Sequence, residues 1–470
     1  MTRIILHTAV ASLLLGGAWL ASPHAQRGTT PGAATVAGAA GPRLYEGARL
    51  ITGSDGPPIE SSAFLVENGR FTRVGRRGEM TAPPGAQRVD LSGKTVIPGL
   101  IDGHSHIGYM RHLTSGAANY TRENILDHMY RFAYFGIVAS QAMGSDFGEL
   151  PFQIRADILA GKYPEAARFL TAGRCLAPLT EISPDNMRQA AYAATTPEGA
   201  RASVQELAAR KVQIVKTWVD DRGGAVKMME PAIYTAIIDE AHKNNLRVAV
   251  HATDLKVAKD LLRARIDIFA HMLSDVDDEV VGLFAQHPNT AVLSALGGPH
   301  RAVYAPWLNP VQPLIVQTVL PDQIARLQAR FPLRNADERA GAQTAWDRLA
   351  RGVKRLSEAG VMLGVGTDGG GQQGDQFLGW TMHAELENLV MAGIPPAKVL
   401  VAATRTTAQI IGQDDLGMVA PGKSADFVVL DANPLDDITN TRRISKVFLR
   451  GREIDREALR ARLMSADQSR

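Results

Sequence analysis

The sequence predicts an α/β fold: a (β/α)8 TIM barrel with a small β-sandwich domain built from both chain ends. Two patterns lead there. Between about residues 97 and 412, apolar residues at helical spacing alternate with short apolar runs, the signature of βα units around a parallel sheet. On either side, short strand-like runs are punctuated by turn residues. A chain of 470 residues is long enough for one large barrel and a smaller companion.

In chain order, Arg3 precedes an apolar run over 4–21 and then small and polar residues to Gln26, so 1–26 reads as a signal peptide. The expectation is a periplasmic or secreted protein without a stable membrane anchor, an uncleaved anchor being the alternative reading of the same run. Residues 27–42, rich in Gly, Ala and Thr, are a flexible leader. Strands at 63–66 and 71–74 flank Asn68-Gly69, a strong hairpin signal. Runs at 426–430 and 447–449 behave alike, so 43–96 and 413–470 are assigned to the composite β-sandwich. Eight barrel strands are expected within 97–412, at 95–97, 134–140, 168–172, 212–215, 246–250, 266–270, 290–295 and 361–365, with helices at 231–244 and 257–265 among the connections. The Pro-punctuated stretch 300–335 is long for a connection and reads as a lid.

Composition narrows the function. With 45% hydrophobic and 21% charged residues, 44 Gly and 25 Pro, the chain is neither collagen, coiled coil nor bulk disorder. Lys plus Arg (51) nearly balance Asp plus Glu (48) and no basic block stands out, which argues against nucleic acid as a partner. Cys175 is the single cysteine, so an intrachain disulfide and a cysteine-based metal site are excluded. No serine has a nucleophile-elbow context, which disfavours a serine hydrolase.

Polar residues recur where the predicted strands end: His104 and His106, Lys216, His251, His271 and Asp368. Barrel enzymes build their sites at the C-terminal ends of the strands, so these six side chains are expected to share one cleft. Imidazole and carboxylate suit zinc and neighbouring divalent ions, and two His at i and i+2 of an extended segment project to one side. A protonated Lys216 would repel such ions. A carbamate, formed with carbon dioxide, is anionic and spans two metals about 3.5–4 Å apart. The alternatives are a strand-capping or packing role for the histidines, a turn role for Asp368 beside Gly369, and a structural Lys216 paired with Asp220 or Asp221.

The pattern resembles the amidohydrolase superfamily in its binuclear form with a carboxylated lysine. Pro98-Gly99-Leu100-Ile101-Asp102 before His104-Ser105-His106 is similar to the first-strand motif, Gly364-Val365-Gly366-Thr367-Asp368 to the eighth-strand motif, and Pro421-Gly422-Lys423-Ser424-Ala425-Asp426 to the C-terminal return into the sandwich. Within the superfamily the chain looks nearest to the imidazolonepropionase-like and Xaa-Pro dipeptidase branch. It departs after the second strand, where Val138-Ala139-Ser140-Gln141 follows Gly136-Ile137 in place of that branch's usual Thr-Thr-Val-Arg-Asp, so the substrate-facing wall is expected to differ.

The resemblance implies two divalent metal ions, zinc by default. His251, His271 and N6-carboxylysine at Lys216 would hold the more exposed one; His104, His106, Asp368 and the carbamate the more buried one. It further implies a metal-dependent amidohydrolase in which a metal-activated water attacks an amide of a dipeptide or N-acyl amino acid. Asp368 would act as catalytic base and then acid. Arg222 and His300 are candidate substrate contacts, with solvated or packing roles as their alternatives. His112, His128, His242, His287 and His383 read as surface or packing residues, and a homo-oligomer is expected. Alternative functions are a mononuclear cyclic-amide hydrolase or deaminase, a lactone or phosphotriester hydrolase of the same fold, and a non-catalytic binding protein.

Overall fold

Pro98-Gly99 divides one extended run between two sheets. In the computed structural model, which describes residues 41–468 apart from 112–113, 180–184, 222–225, 298–309, 331–334 and 371–376, Thr95–Pro98 pairs with Phe427–Leu430 in a small sheet. Leu100–Ser105 pairs in parallel with Ile137–Ala142 and is the first barrel strand. The expected first strand at 95–97 therefore belongs to the smaller sheet. From Val96 to Ile101 the run carries no polar side chain, and such a stretch does not say where it passes from one sheet to another. Gly99 marks the junction because a Cβ there would lie 2.2 Å from a Val138 methyl carbon.

The barrel continues through Arg168–Thr171, Cys175–Ala177, Ile214–Trp218, Arg247–His251, Ile268–Phe269, Ala291–Leu293 and Met362–Gly364, neighbours pairing in parallel where they are hydrogen-bonded. The third strand is split: Gly173 (φ 68°) lies between its two halves, and Ala191–Ala193 adds an extra parallel strand beside the second half. Gly103 N donates to Val365 O (2.9 Å) and Thr367 N to His104 O (3.0 Å), which joins the eighth strand to the first and closes the ring. The helix Arg122–Tyr134 runs into the expected second strand, which starts only at Ile137 after Gly136 (φ 81°). Connecting helices carry the caps their sequences advertise. Thr196, Asp254 and Asp277 each accept a hydrogen bond from a first-turn amide, and Asn335 with Glu338 forms a capping box. Of the expected lid, the described part contains the helix Pro321–Arg330. No described helix is long and apolar enough to cross a membrane.

Strands from both chain ends form the two small sheets. Arg43–Glu46, Ser62–Glu67, Arg70–Arg76 and Gln87–Asp90 make one; Arg49–Leu50, Thr95–Pro98, Phe427–Leu430, Ile444–Leu449 and Arg452–Glu453 make the other. They share an apolar cluster that includes Tyr45, Phe64, Phe71, Phe427 and Phe448, with Phe427 and Phe448 stacked at 4.2 Å. The hairpin turn at Asn68 (φ 51°) and Gly69 (φ 74°) has two left-handed residues in succession, as a two-residue hairpin loop requires.

A buried ion pair ties these sheets to the barrel. Arg168, opening the third strand, donates to Asp426 Oδ1 and to Ser424 Oγ, both at 2.8 Å, and Arg450 N donates to the same Asp426 oxygen at 3.1 Å. The two side chains are 11% and 2% exposed. Asp426→Ala leaves the Arg168 charge buried without its carboxylate and is expected to destabilise the protein by about 3–5 kcal/mol, read from urea unfolding.

Candidate metal centre

All six strand-end residues of the sequence pattern meet at one end of the barrel. His104 lies inside the first strand and His106 just beyond it, Lys216 is the third residue of Ile214–Trp218, and His251 is the last residue of Arg247–His251. Lys216 was expected after its strand; the strand starts two residues later than predicted and takes it in. His271 and Asp368 follow the sixth and eighth strands. His106 Nε2 lies 2.8 Å and His104 Nε2 3.4 Å from Asp368 Oδ1. Ring centroids are 4.9 Å apart for His104 and His271 and 4.4 Å for His251 and His271. His251 Nδ1 and His271 Nε2 are separated by 2.7 Å. Lys216, 1% exposed, is close enough for its charge to act on both His104 and His271.

The backbone holds these groups in place. Asp368 has a left-handed φ of 54° and its amide donates to His104 O at 2.8 Å, a strained position of the kind found at functional sites. The Asp102 carboxylate accepts from the amides of His104 (3.1 Å) and Thr367 (3.0 Å) and from Thr367 Oγ1 (2.7 Å), bracing the first strand against the eighth. Two glycines make room for the ligands. A Cβ on Gly366 would lie 2.7 Å from His104 Cβ, and one on Gly144 would lie 2.7 Å from Lys216 Cγ.

His104 shows what the centre can hold. Its Nδ1 lies 2.8 Å from Ala270 O, a pure acceptor, so Nδ1 carries the proton and Nε2 presents a lone pair. Nε2 is buried, has no hydrogen-bond partner and faces a carboxylate oxygen. Two acceptors that face each other call for a cation between them. Burial, and then the Lys216 charge, hold the His104 imidazole well below its ordinary pKa; burial first, and then His251 among others, does the same for His271. For Asp368, burial favours the protonated acid, but His104, His106 and His271 together outweigh it and hold the carboxyl well below the usual range. Neutral His104 and His271 beside an ionised Asp368 are the forms that bind a divalent ion. His104, His106 and Asp368 have ligand atoms within 4.8 Å of one another and form a three-residue set for one ion.

Arg222 and His300, the candidate substrate contacts, lie outside the described residues, as do His112 and residues 1–40. His128 and His383 are buried packing residues. His128 Nδ1 accepts from Gly108 N, and His383 bridges Thr441 and Phe135 O; burial lowers their pKa values to about 4 and about 3. His242 pairs with Asp267. Cys175 is buried.

The groups behind the ligands were not visible in the sequence, except Asp220, which it offered as a partner for Lys216 rather than for His251. Ser145 Oγ lies 2.9 Å from His106 Nδ1, and Asp220 Oδ2 lies 2.5 Å from His251 Nε2. Buried Asp146 accepts from Tyr120 and Thr171. Buried Glu385, on the helix Trp380–Met391, accepts from Leu296 N (2.7 Å) and Asn388 (3.1 Å) below the loop that follows the seventh strand. Burial, assisted by the Asp102 charge, pushes Glu385 up to about 7 against the hydrogen bonds it accepts. Its contribution to stability is therefore full below about pH 4.5 and is lost as pH rises through about 7. Glu385→Gln is expected to flatten the fall of urea stability between about pH 4.5 and 7 by up to one proton, about 1.4 kcal/mol per pH unit.

The model of the family described as "Amidohydrolase family" matches residues 95–454. The chain is 26% identical over 414 residues to an imidazolonepropionase from Anaeromyxobacter sp. (strain K), covering 80% of this chain and 85% of that one. Among solved structures, a candidate prolidase from Bifidobacterium longum superposes with a TM-score of 0.69 at 27% identity, over 91% of this chain and 99% of that chain. A Xaa-Pro dipeptidase with bound methionine shares the fold at 20% identity and TM-score 0.69, over 88% and 100% of the two chains. The chain therefore belongs to the amidohydrolase family, as a metal-dependent hydrolase acting on C–N bonds.

Proposed function

We propose that the chain hydrolyses the amide bond of a dipeptide or N-acyl amino acid, in the manner of a Xaa-Pro dipeptidase or carboxypeptidase, with two divalent cations, zinc by default. His104, His106 and Asp368 are the residues for the more buried ion and His251 and His271 for the more exposed one, with Lys216 as N6-carboxylysine linking them. Bound there, the ions supply Lewis acidity and an acidified water. The residues do the rest. Asp368, ionised beside His104 and His106, takes the proton of the attacking water on a carboxylate oxygen and returns it to the departing nitrogen. His104 is locked by Ala270 O, so its lone pair stays aimed at the reacting zone.

One observation carries the two-ion reading: a lysine only 1% exposed lies within electrostatic reach of two imidazoles, His104 and His271, that belong to different halves of the centre. Burying an ammonium beside prospective cation ligands is costly, and an anionic carbamate removes the conflict. Similarity to the Bifidobacterium longum protein supports the dipeptide class. A second reading, a one-ion cyclic-amide hydrolase or deaminase, draws support from the imidazolonepropionase relative and from the self-sufficient set of His104, His106 and Asp368. Elemental analysis together with a panel of Xaa-Pro dipeptides, N-acyl amino acids and cyclic amides decides between them. Two ions per chain with dipeptide turnover support the first reading; one ion with cyclic-amide turnover replaces it. The charged and apolar start of the sequence supports export to the periplasm or medium, tested by sizing the chain after fractionation of the cells that make it.

A further inference from the structure

The three histidines whose outward-facing nitrogens have a clear partner are not braced alike. His104 leans on a backbone carbonyl (2.8 Å) and His106 on the Ser145 hydroxyl (2.9 Å), both neutral groups. His251 leans on a carboxylate: Asp220 Oδ2 lies 2.5 Å from its Nε2, with the two side chains 19% and 20% exposed. The local structure explains the contact. Trp218 stands opposite His251 in the parallel pair of the fourth and fifth strands, and Val219 N donates to His251 O at 2.9 Å. The chain leaving the fourth strand is thereby held beside the end of the fifth, and Asp220, the next residue, falls against the imidazole.

An ionised carboxylate can only accept, so it selects the tautomer of His251 with the proton on Nε2. Nδ1 is then left with its lone pair turned towards His271 Nε2, 2.7 Å away. A carboxylate behind a ligating imidazole fixes the ring's orientation and raises its basicity.

Building on the two-ion reading above, we propose that Asp220 is a positioning residue for the more exposed cation: it orients His251 and adds negative charge to that half of the centre alone. The halves then differ in kind, with the buried one relying on Asp368 as a direct ligand and the exposed one on a carboxylate acting through an imidazole.

The test is stepwise removal of zinc from the full chain with dipicolinate, with zinc per chain measured at each concentration for wild type, Asp220→Asn, Asp220→Ala and Asp220→Glu. Melting temperatures confirm that each variant is folded. In wild type two ions leave in two steps. In Asp220→Ala the first step is expected at about 10–100-fold lower chelator and the second unchanged. Asp220→Asn should fall between, because an amide oxygen still accepts from Nε2–H without the charge, and Asp220→Glu should recover part of the loss. Folded variants that release both ions at wild-type concentrations would overturn the proposal, even if they lost activity, since Asp220 would then act on substrate. Equal weakening of both steps would overturn it too. A wild-type chain that takes up only one ion would instead remove the two-ion reading itself.

Discussion

Asp368→Asn is expected to lower kcat by about 10²–10⁴-fold, the usual worth of a positioned general acid–base group, while leaving a large part of the bound metal in place. The substitution is chosen to keep everything except the proton-accepting charge. Asn tolerates the left-handed backbone that this position requires (φ 54°) at least as well as Asp, so the hydrogen bond from its amide to His104 O should survive. Its side-chain oxygen still faces His104 and His106. What disappears is the ionised carboxylate that their proximity keeps below the usual range. Turnover and metal content measured on the same preparation separate the two roles. Near-normal rates with full metal would mean that Asp368 carries no proton. Asp368→Ala is the less informative variant, because a Cβ-branchless residue without a polar side chain has no local compensation for that φ and would mix backbone strain with lost chemistry.

Lys216→Ala has the second large effect. Losing the proposed carbamate link is expected to release most of the bound metal and to cost several kcal/mol of transition-state stabilisation, about 10³-fold in rate. Short carboxylic acids such as formate or acetate should restore part of the activity by standing in for the carbamate. The side chain also fills space, since Gly144 packs directly on its stem and only because it lacks a Cβ. Lys216→Met therefore accompanies Lys216→Ala as a control that keeps the stem and removes the head group. If Lys216→Met loses metal as Lys216→Ala does, the head group is responsible. Full metal and full activity in Lys216→Met, with no need of added acid, would exclude the carbamate.

The six chemical residues were legible because each stands at or near the end of an apolar run, and a barrel brings such ends together whatever the exact strand limits. The pattern tolerated real errors. Lys216 lies inside its strand, and the opening strand of the barrel is Leu100–Ser105 rather than the preceding 95–97. The slips have opposite causes: the run through Gly99 stays apolar past the point where it changes partners, whereas the fourth strand continues through the polar Lys216 and Thr217 after its apolar run has ended. The split of the third strand, with Gly173 between its halves, had a visible glycine but nothing to separate it from an ordinary strand end. Ser145, Asp146 and Glu385 were not legible as site residues at all, and Asp220 only as a possible partner of Lys216 rather than of His251. An acid or hydroxyl that braces another side chain has no periodicity, and its meaning depends on which loop folds against it. Asp102 was visible as part of a motif, but its bonds to Thr367 on the far side of the ring were not.

The extended run through Gly99 has a consequence for anyone who wishes to cut or rearrange this protein. Its first half is sewn between the strands Arg49–Leu50 and Phe427–Leu430, while its second half carries His104. Trimming the C-terminal strands would strip one flank from the segment that leads straight into the proposed metal ligands His104 and His106, and the Arg168–Asp426 pair would be lost with them. The tail of the polypeptide thus works as a clasp on the opening stave of the cylinder, and a minimal version of the enzyme has to keep both ends.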